Sequence, residues 1–434
     1  MKLSSFQLVF FSFVLLILIG TALLMLPISS ASGKRTPFLD SLFTATSASC
    51  VTGLVVRDTA TYWSAFGKAV ILAMIQIGGL GVITLSIVLV MLSGRKISLF
   101  QRSLMQNSIS ASSPGGVIRL TSFIVRMSLL FEAIGALLLS VPMIIRFGFG
   151  KGVLLAVFHS VSAFCNAGFD LMGNYTSLTS FVDDPYVLFV IMALIVIGGI
   201  GFFTWEDIRE NKLRFRSYST QSKVILVTSA FLIFVPAVLF FILEYEELPL
   251  GTRMLSALFQ SVTTRTAGFN STDQLMLSES GLAFTIILML IGGSPGSTAG
   301  GMKTTTVALL ALSVMAVFRN KHDVTVFGRR LSGESIRNAM TIFTIYIFLC
   351  LFAAVIITRL EDIPLLMALY ETASAIGTVG LTTGITPGLH TASRIILIGL
   401  MFFGRVGCLT LIYAILPRKG KDVQRLPLDH INVG

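Results

Sequence analysis

LFTATSASCVTGL, residues Leu42–Leu54, decides how this 434-residue chain is read, because the chain writes it four times. Its counterparts are Val157–Phe169 (VFHSVSAFCNAGF), Ala257–Phe269 (ALFQSVTTRTAGF) and Leu369–Leu381 (LYETASAIGTVGL). Each is a short, moderately apolar segment rich in Ser, Thr and Ala that reaches a glycine followed by Leu or Phe. The glycines, Gly53, Gly168, Gly268 and Gly380, are spaced by 115, 100 and 112 residues. Self-similarity at a recurring spacing marks a repeated structural unit, where a single such turn would not.

The surroundings of these segments are a membrane protein's. Hydrophobic residues make up 54% of the chain and charged residues 12%, with a mean hydropathy of +0.87. A soluble domain carries about 25% charged residues, so an ordinary cytosolic enzyme, a disordered chain and a disulfide scaffold are excluded. The four cysteines form no CxxC pair. Apolar runs near 6–26, 69–92, 117–143, 186–205, 222–243, 282–318, 338–358 and 394–416 approach or exceed the roughly 20 residues of a spanning helix. None alternates at period two, which sets aside barrel strands. The first run exceeds a signal-peptide core of roughly 7–15 residues and is read as a retained helix. With both termini in the cytoplasm, inner segments hold 18 Lys and Arg against 10 outside. That asymmetry follows the positive-inside rule and accounts for the net charge of +11 without nucleic acid. Tyr62, Trp63 and Trp205 fall where interfacial aromatic belts are expected.

Each copy of the opening motif lies between an odd-numbered run and the next even one, on the outer side. Too short to cross, it reads as a re-entrant half-helix, and non-helical backbone at membrane depth must be buried or line a cavity. The expected fold is all-α: eight transmembrane helices and four re-entrant pore loops around one axis. The repeats run 1–110, 111–217, 218–333 and 334–416, with a cytoplasmic tail at 417–434. Glycine permits φ > 0, so successive carbonyls turn toward the axis and replace the hydration shell of a monovalent cation. The expected ion-binding residues are Val51, Thr52 and Gly53; Asn166, Ala167 and Gly168; Thr266, Ala267 and Gly268; Thr378, Val379 and Gly380.

The third repeat departs from the pattern. Its aromatic residue, Phe259, stands one residue nearer the glycine than Phe43, Phe158 and Tyr370 do, so that half-helix or its end is one residue shorter. It also places Arg265 where the others place Cys50, Cys165 and Gly377, and Glu371 is the expected partner of that charge. The cysteines read as small packing residues and His159 as a packed polar group. Asp58, Asp170, Asp183, Asp184 and Asp273, with Glu244, Glu246 and Glu247, suggest an acidic mouth that concentrates cations. Glu132 has no partner within reach along its own helix.

The sixth run is interrupted by IGGSPGSTAGGMK, Ile291–Lys303. Gly292, Gly293, Ser294, Pro295, Gly296, Ser297, Thr298, Ala299, Gly300 and Gly301 cannot continue a helix, so this stretch reads as an obstruction across the pore. The string is not a phosphate-binding loop, since Met302 separates Gly301 from Lys303 and no strand precedes it. Arg405, deep in the last run, is expected to donate to the carbonyls of this gate loop. Lys303 either does the same or extends to the inner interface. GGLG (Gly78–Gly81) and GGIG (Gly198–Gly201) signal close helix packing.

With VTGL, NAGF, RTAGFN, GTVGL and the broken sixth run in place, the whole chain resembles the Trk/Ktr/HKT superfamily of potassium transporters. It is most similar to the membrane subunit of bacterial Ktr-type systems. The resemblance implies a channel-like pore of one chain, with Gly53, Gly168, Gly268 and Gly380 as filter glycines and Gly292–Lys303 holding the gate. Serine at the first glycine accompanies sodium transport in some plant members, so Gly53 implies potassium, with sodium as a secondary ion. It implies a homodimer in the plasma membrane on a cytosolic ring of nucleotide-binding subunits, with Arg209–Lys223 and Arg319–Arg337 as docking loops. Lipid is the other expected partner; no enzyme activity, covalent cofactor or nucleic acid is expected. The alternative is a secondary transporter coupling potassium to sodium or protons, disfavoured because the chain reads as direct repeats with one severe break.

Overall fold

The structure, a computed structural model, describes residues 4–82, 84, 117–212 and 214–415. Its elements fall into the four repeats. The first holds α1 (Ser5–Leu24), α2 (Phe38–Ser49) and α3 (Ala65–Leu80). The second holds α4 (Val117–Phe147), α5 (Phe149–Phe164), α6 (Pro185–Ile200) and α7 (Phe202–Asn211). The third holds α8 (Thr220–Leu243), α9 (Leu250–Thr263), α10 (Glu279–Met289) and α11 (Thr304–Phe318), then a hairpin of β1 (Thr325–Val326) and β2 (Arg329–Arg330). The fourth holds α12 (Gly333–Glu361), α13 (Leu365–Gly377), α14 (Thr391–Val406) and α15 (Cys408–Ile415).

The first helix of every repeat, α1, α4, α8 and α12, is long and apolar enough to cross a bilayer alone. The second helices α2, α5, α9 and α13, of 12, 16, 14 and 13 residues, are not. At 1.5 Å per residue they reach about 24 Å at most, short of the roughly 30 Å apolar layer. They are the half-helices. Pro37, Pro249 and Pro364 stand at three of their entries, where a missing amide costs nothing. Each half-helix packs on the long helix of its own repeat and on the returning helix of the preceding one: α2 on α14, α5 on α3, α9 on α6, α13 on α10. The repeats therefore close into a ring in chain order.

The returning spans differ from the expected single break. All four are interrupted at corresponding places. Gly81, Gly201 and Gly407 end α3, α6 and α14 with φ of +88°, +100° and +89°. A 94° bend separates α6 from α7, and in the third repeat a whole loop parts α10 from α11. Beyond Thr84 the expected run 69–92 lies outside the described residues, as does the tail at 417–434. GGLG and GGIG pack closely as expected: a Cβ on Gly78 or Gly198 would strike the carbonyl of Ser49 or Phe164 at a half-helix end, and Gly404 meets that of Ile376 in the same way. Trp63 does not face an interface; it is 1% exposed. Trp205 is half-buried and donates to the Ile197 carbonyl at 2.9 Å.

Candidate functional site

The half-helices end in a shared turn. The amide preceding each glycine bonds back into the helix: Thr52 to the Ser47 carbonyl, Ala167 to Ser162 and Val379 to Ser374, each at 2.8 Å. In the third repeat Ala267 bonds to Thr263 at 3.0 Å, the one-residue shortening expected from Phe259. Such an ending requires a left-handed residue. Val51, Asn166, Thr266 and Thr378 supply it, with φ between +51° and +75°. Hydroxyls pin the backbone around each glycine: Ser47 and Ser374 accept from the Gly53 and Gly380 amides at 3.1 and 3.0 Å. Ser162 and Thr263 donate to the Phe169 and Phe269 carbonyls, both at 2.7 Å.

The four segments meet. A Cβ on Gly53 would lie 2.5 Å from the Ala167 carbonyl oxygen, and one on Gly168 2.7 Å from that of Ala267. On Gly268 and Gly380 it would come closer still to the Val379 and Thr52 oxygens, which closes the circle. Every one of the twelve residues expected to bind the ion is buried, and their carbonyls accept no hydrogen bond from the described residues. More than nine in ten buried backbone groups in proteins are paired, so a ring that brings the unpaired Thr52, Ala167, Ala267 and Val379 oxygens together calls for a ligand. The C-terminal ends of α2, α5, α9 and α13 add the negative ends of four helix dipoles. Chemically, the ring suits a dehydrated monovalent cation.

On the side after the glycines, a small mouth is lined by the ring glycines with Asp58, Asp170, Tyr175, Asn270 and Thr382. Asp58 accepts from the amides of Ala60, Thr61 and Tyr175. Burial pushes the Asp170 carboxyl up to about 6, against the pull of the Met172 amide and with the push of Asp58. Glu246 and Glu247 are exposed, and four of the other expected acids bond elsewhere. Asp184 and Asp273 cap helices, Asp183 accepts from Thr252, and Glu244 accepts from Ser278. Asp40 instead joins repeats one and four, holding Arg57 and Arg394, both at 2.8 Å.

The residues before the glycines face the interrupting loop. Its neck is closed by Gly292 donating to Met302 at 2.7 Å and Thr304 to Gly293 at 3.0 Å. Thr298 is its hub: the hydroxyl donates to the Phe164 carbonyl at 2.9 Å and accepts from Asn166 at 3.3 Å, and the amide reaches Gly198. Ser294 and Gly301 donate to Gly199 and Gly404, so the carbonyls freed where α6 and α14 break are taken up by this loop. Arg405 serves the remaining end. It donates to the Thr298 carbonyl, to Gly78, and to Gly79 at 2.9 Å, capping α3 and holding the loop together. Lys303 turns inward, its Nζ 2.8 Å from the Ala299 carbonyl, and does not extend to an interface. Below the loop lies a cavity of about 250 Å³ lined in part by Gly81, Ser297, Lys303 and Arg405.

One expectation about buried charge is overturned, and another open one is resolved. Glu371 does not pair with Arg265; its carboxylate is taken by Thr382, Thr383 and Thr386. Arg265 is 6% exposed and its Nε has no partner among the described residues. Glu132 does have one, in the next helix over: Gln76 donates to both carboxylate oxygens at 2.9 and 3.2 Å. Cys50 and Cys165 are buried and unlinked. His159 is packed, with Nδ1 2.7 Å from the Leu155 carbonyl. No group of His, Cys, Asp and Glu among the described residues could hold a metal ion.

Known proteins share both the sequence and this architecture. The TrkH family model, described as a cation transport protein, matches residues 3–419. The chain is similar to the potassium/sodium uptake protein NtpJ of Enterococcus hirae, 41% identical over 429 residues that cover 97% of this chain and 94% of that protein. It is 40% identical over 414 residues to Ktr system potassium uptake protein B of Bacillus subtilis, covering 94% of this chain and 92% of that one. Its fold is similar to the crystal structure of the potassium transporter TrkH from Vibrio parahaemolyticus, with a TM-score of 0.73 at 18% identity, covering 93% and 84% of the two chains.

Proposed function

Since this chain belongs to the TrkH cation transport protein family, we propose that it carries potassium into the cell across the plasma membrane, through the glycine ring as a selectivity filter. The observation that carries this reading is the circle of buried segments closed by Gly53, Gly168, Gly268 and Gly380, each packed against a carbonyl of the next segment, with carbonyls that accept no hydrogen bond from the described residues. Glycine at all four places allows the close approach that fits the oxygens to one ion. The names of NtpJ and of the Bacillus protein favour potassium, and NtpJ's adds sodium as a secondary ion. Rubidium uptake by the purified chain in vesicles tests it: external potassium should displace the tracer, and sodium should do so far less. Equal displacement by the two ions would contradict potassium selection.

In this reading Ile291–Lys303 is an intramembrane gate, and Arg405 holds it shut while placing positive charge near the ion path. Replacement of Arg405 by Gln should raise flux, because Thr298 loses a charged donor and the pore loses a like charge. Unchanged flux in the folded variant would show that the loop is held otherwise.

The mouth carries a pH dependence. With its carboxyl raised to about 6, Asp170 is ionised above that value and neutral below it. Potassium uptake at low concentration should therefore fall as outside pH drops through about 6, and Asp170→Asn should flatten that limb while lowering uptake at neutral pH. A pH profile identical in the two proteins would remove Asp170 from ion capture.

We further infer a homodimer with both termini in the cytoplasm, gated by a separate cytosolic nucleotide-binding ring. Supporting this docking surface, Phe215 and Phe327 meet edge to face with ring centroids 6.3 Å apart, joining the two basic loops beside exposed Arg214, Arg329 and Arg330. Coupling to sodium or protons is the weaker reading, since the four breaks recur as direct repeats.

A further inference from the structure

Behind the ring, each half-helix carries a polar side chain at one shared position. Allowing for the shortened third repeat, these are Thr44, His159, Gln260 and Glu371. They differ in what they hold. Thr44 turns back onto its own helix, donating to the Asp40 carbonyl at 2.9 Å. His159 accepts from the Leu171 amide, three residues past its glycine, at 3.4 Å. Gln260 exchanges two bonds with Gln274, six residues past its glycine, at 2.7 and 3.3 Å.

Glu371 uses both places at once. It accepts from the Thr383 amide at 3.1 Å, three residues past Gly380, and from the Thr386 hydroxyl at 2.7 Å, six residues past. It also takes the hydroxyl of Thr382, which lines the mouth beside Gly380. The side chain is fully buried, and no Lys, Arg or His among the described residues pairs with it. A buried carboxylate without a counter-charge is costly unless its oxygens are filled by donors. All three donors here come from the segment that leaves the ring. On the other side of Gly380, Ser374 grips the Val379 and Gly380 amides.

We propose that Glu371 is a positioning residue for ion selection: it clamps Thr382–Thr386 and so fixes the Gly380 quadrant, the most firmly braced of the four. This rests on the reading of the ring as the filter. A carboxylate touching no ion acts here by holding carbonyls at one radius, which is what separates potassium from a smaller ion.

The test is the potassium-over-sodium flux ratio in vesicles for the wild type, Glu371→Ala, Glu371→Gln and Thr386→Val, with Gly380→Ser as a filter control. Glu371→Ala should lower the ratio at least ~10-fold, Thr386→Val should lower it by less, and Glu371→Gln, which keeps an acceptor for the Thr383 amide, should restore most of it. Thr386→Val removes a single hydroxyl bond and decides the matter if Glu371→Ala fails to fold. If Gly380→Ser lowers the ratio while folded Glu371→Ala or Thr386→Val keeps the wild-type value, the positioning role is overturned and the filter stands. A loss in Glu371→Gln equal to that in Glu371→Ala overturns it as well. An unchanged ratio in Gly380→Ser overturns the filter itself, and the positioning role with it.

Discussion

Deleting Ser297–Gly300 is expected to raise potassium flux through the isolated chain at least ~10-fold, a barrier change of about 1.4 kcal/mol. The deletion removes Thr298 and with it the bonds to Phe164, Asn166, Gly198 and Arg405 that hold the loop beneath the ring. It spares the neck, where Gly292, Gly293, Met302 and Thr304 join α10 to α11, so the helices stay connected. Arg405 keeps its bonds to Gly78 and Gly79 and continues to cap α3. Because none of the twelve ring residues is altered, the potassium-over-sodium ratio should hold while the rate climbs. Tracer uptake into vesicles checks both, and a folded deletion variant with wild-type flux would mean that Ile291–Lys303 does not obstruct the path.

Gly380→Ala should act in the opposite direction and more strongly, lowering potassium flux at least ~100-fold, about 2.7 kcal/mol of barrier. Two physical terms add. At φ +95° a side chain costs about 1–2 kcal/mol of backbone strain. The added Cβ would also overlap the Thr52 carbonyl oxygen, a group of the ring itself, so the strain is relieved only by opening the circle. Gly384 provides the control. Its φ is +87°, yet nothing lies within 4 Å of a Cβ there, so Gly384→Ala carries the strain without the overlap. Flux should fall far less in it. Equal losses in the two variants would assign the effect to backbone strain alone.

The glycine ring and the interrupting loop are legible in the sequence because both are written as local strings. Four matched glycines with Ser- and Thr-rich segments before them specify half-helices, and Gly-Gly-Ser-Pro-Gly forbids a helix without reference to anything distant. Even the shortened third end, carried by Phe259, reappears as the bond from Ala267 to Thr263. The breaks at Gly81, Gly201 and Gly407 were not legible. Each is one glycine in an apolar run, and hydropathy carries no information on φ. What distinguishes them is the carbonyls they release, which the interrupting loop and Arg405 then occupy. The buried charges failed for a related reason. Glu132 finds Gln76 56 positions earlier in the chain, and Glu371 prefers hydroxyls and an amide of its own repeat to an arginine of the neighbouring one. Opposite charges in neighbouring segments suggest a pair, but a carboxylate whose oxygens are already filled by three donors has no need of one.

The central claim is that the ring is a pore through which potassium runs down its own gradient. The zero-current potential of liposomes containing the purified chain, with potassium and sodium gradients set in opposition, tests this most directly. The expected potential follows the potassium gradient and is unmoved when the sodium or proton gradient is abolished. A potential that follows sodium equally, or uptake that stops when either other gradient is removed, would contradict it.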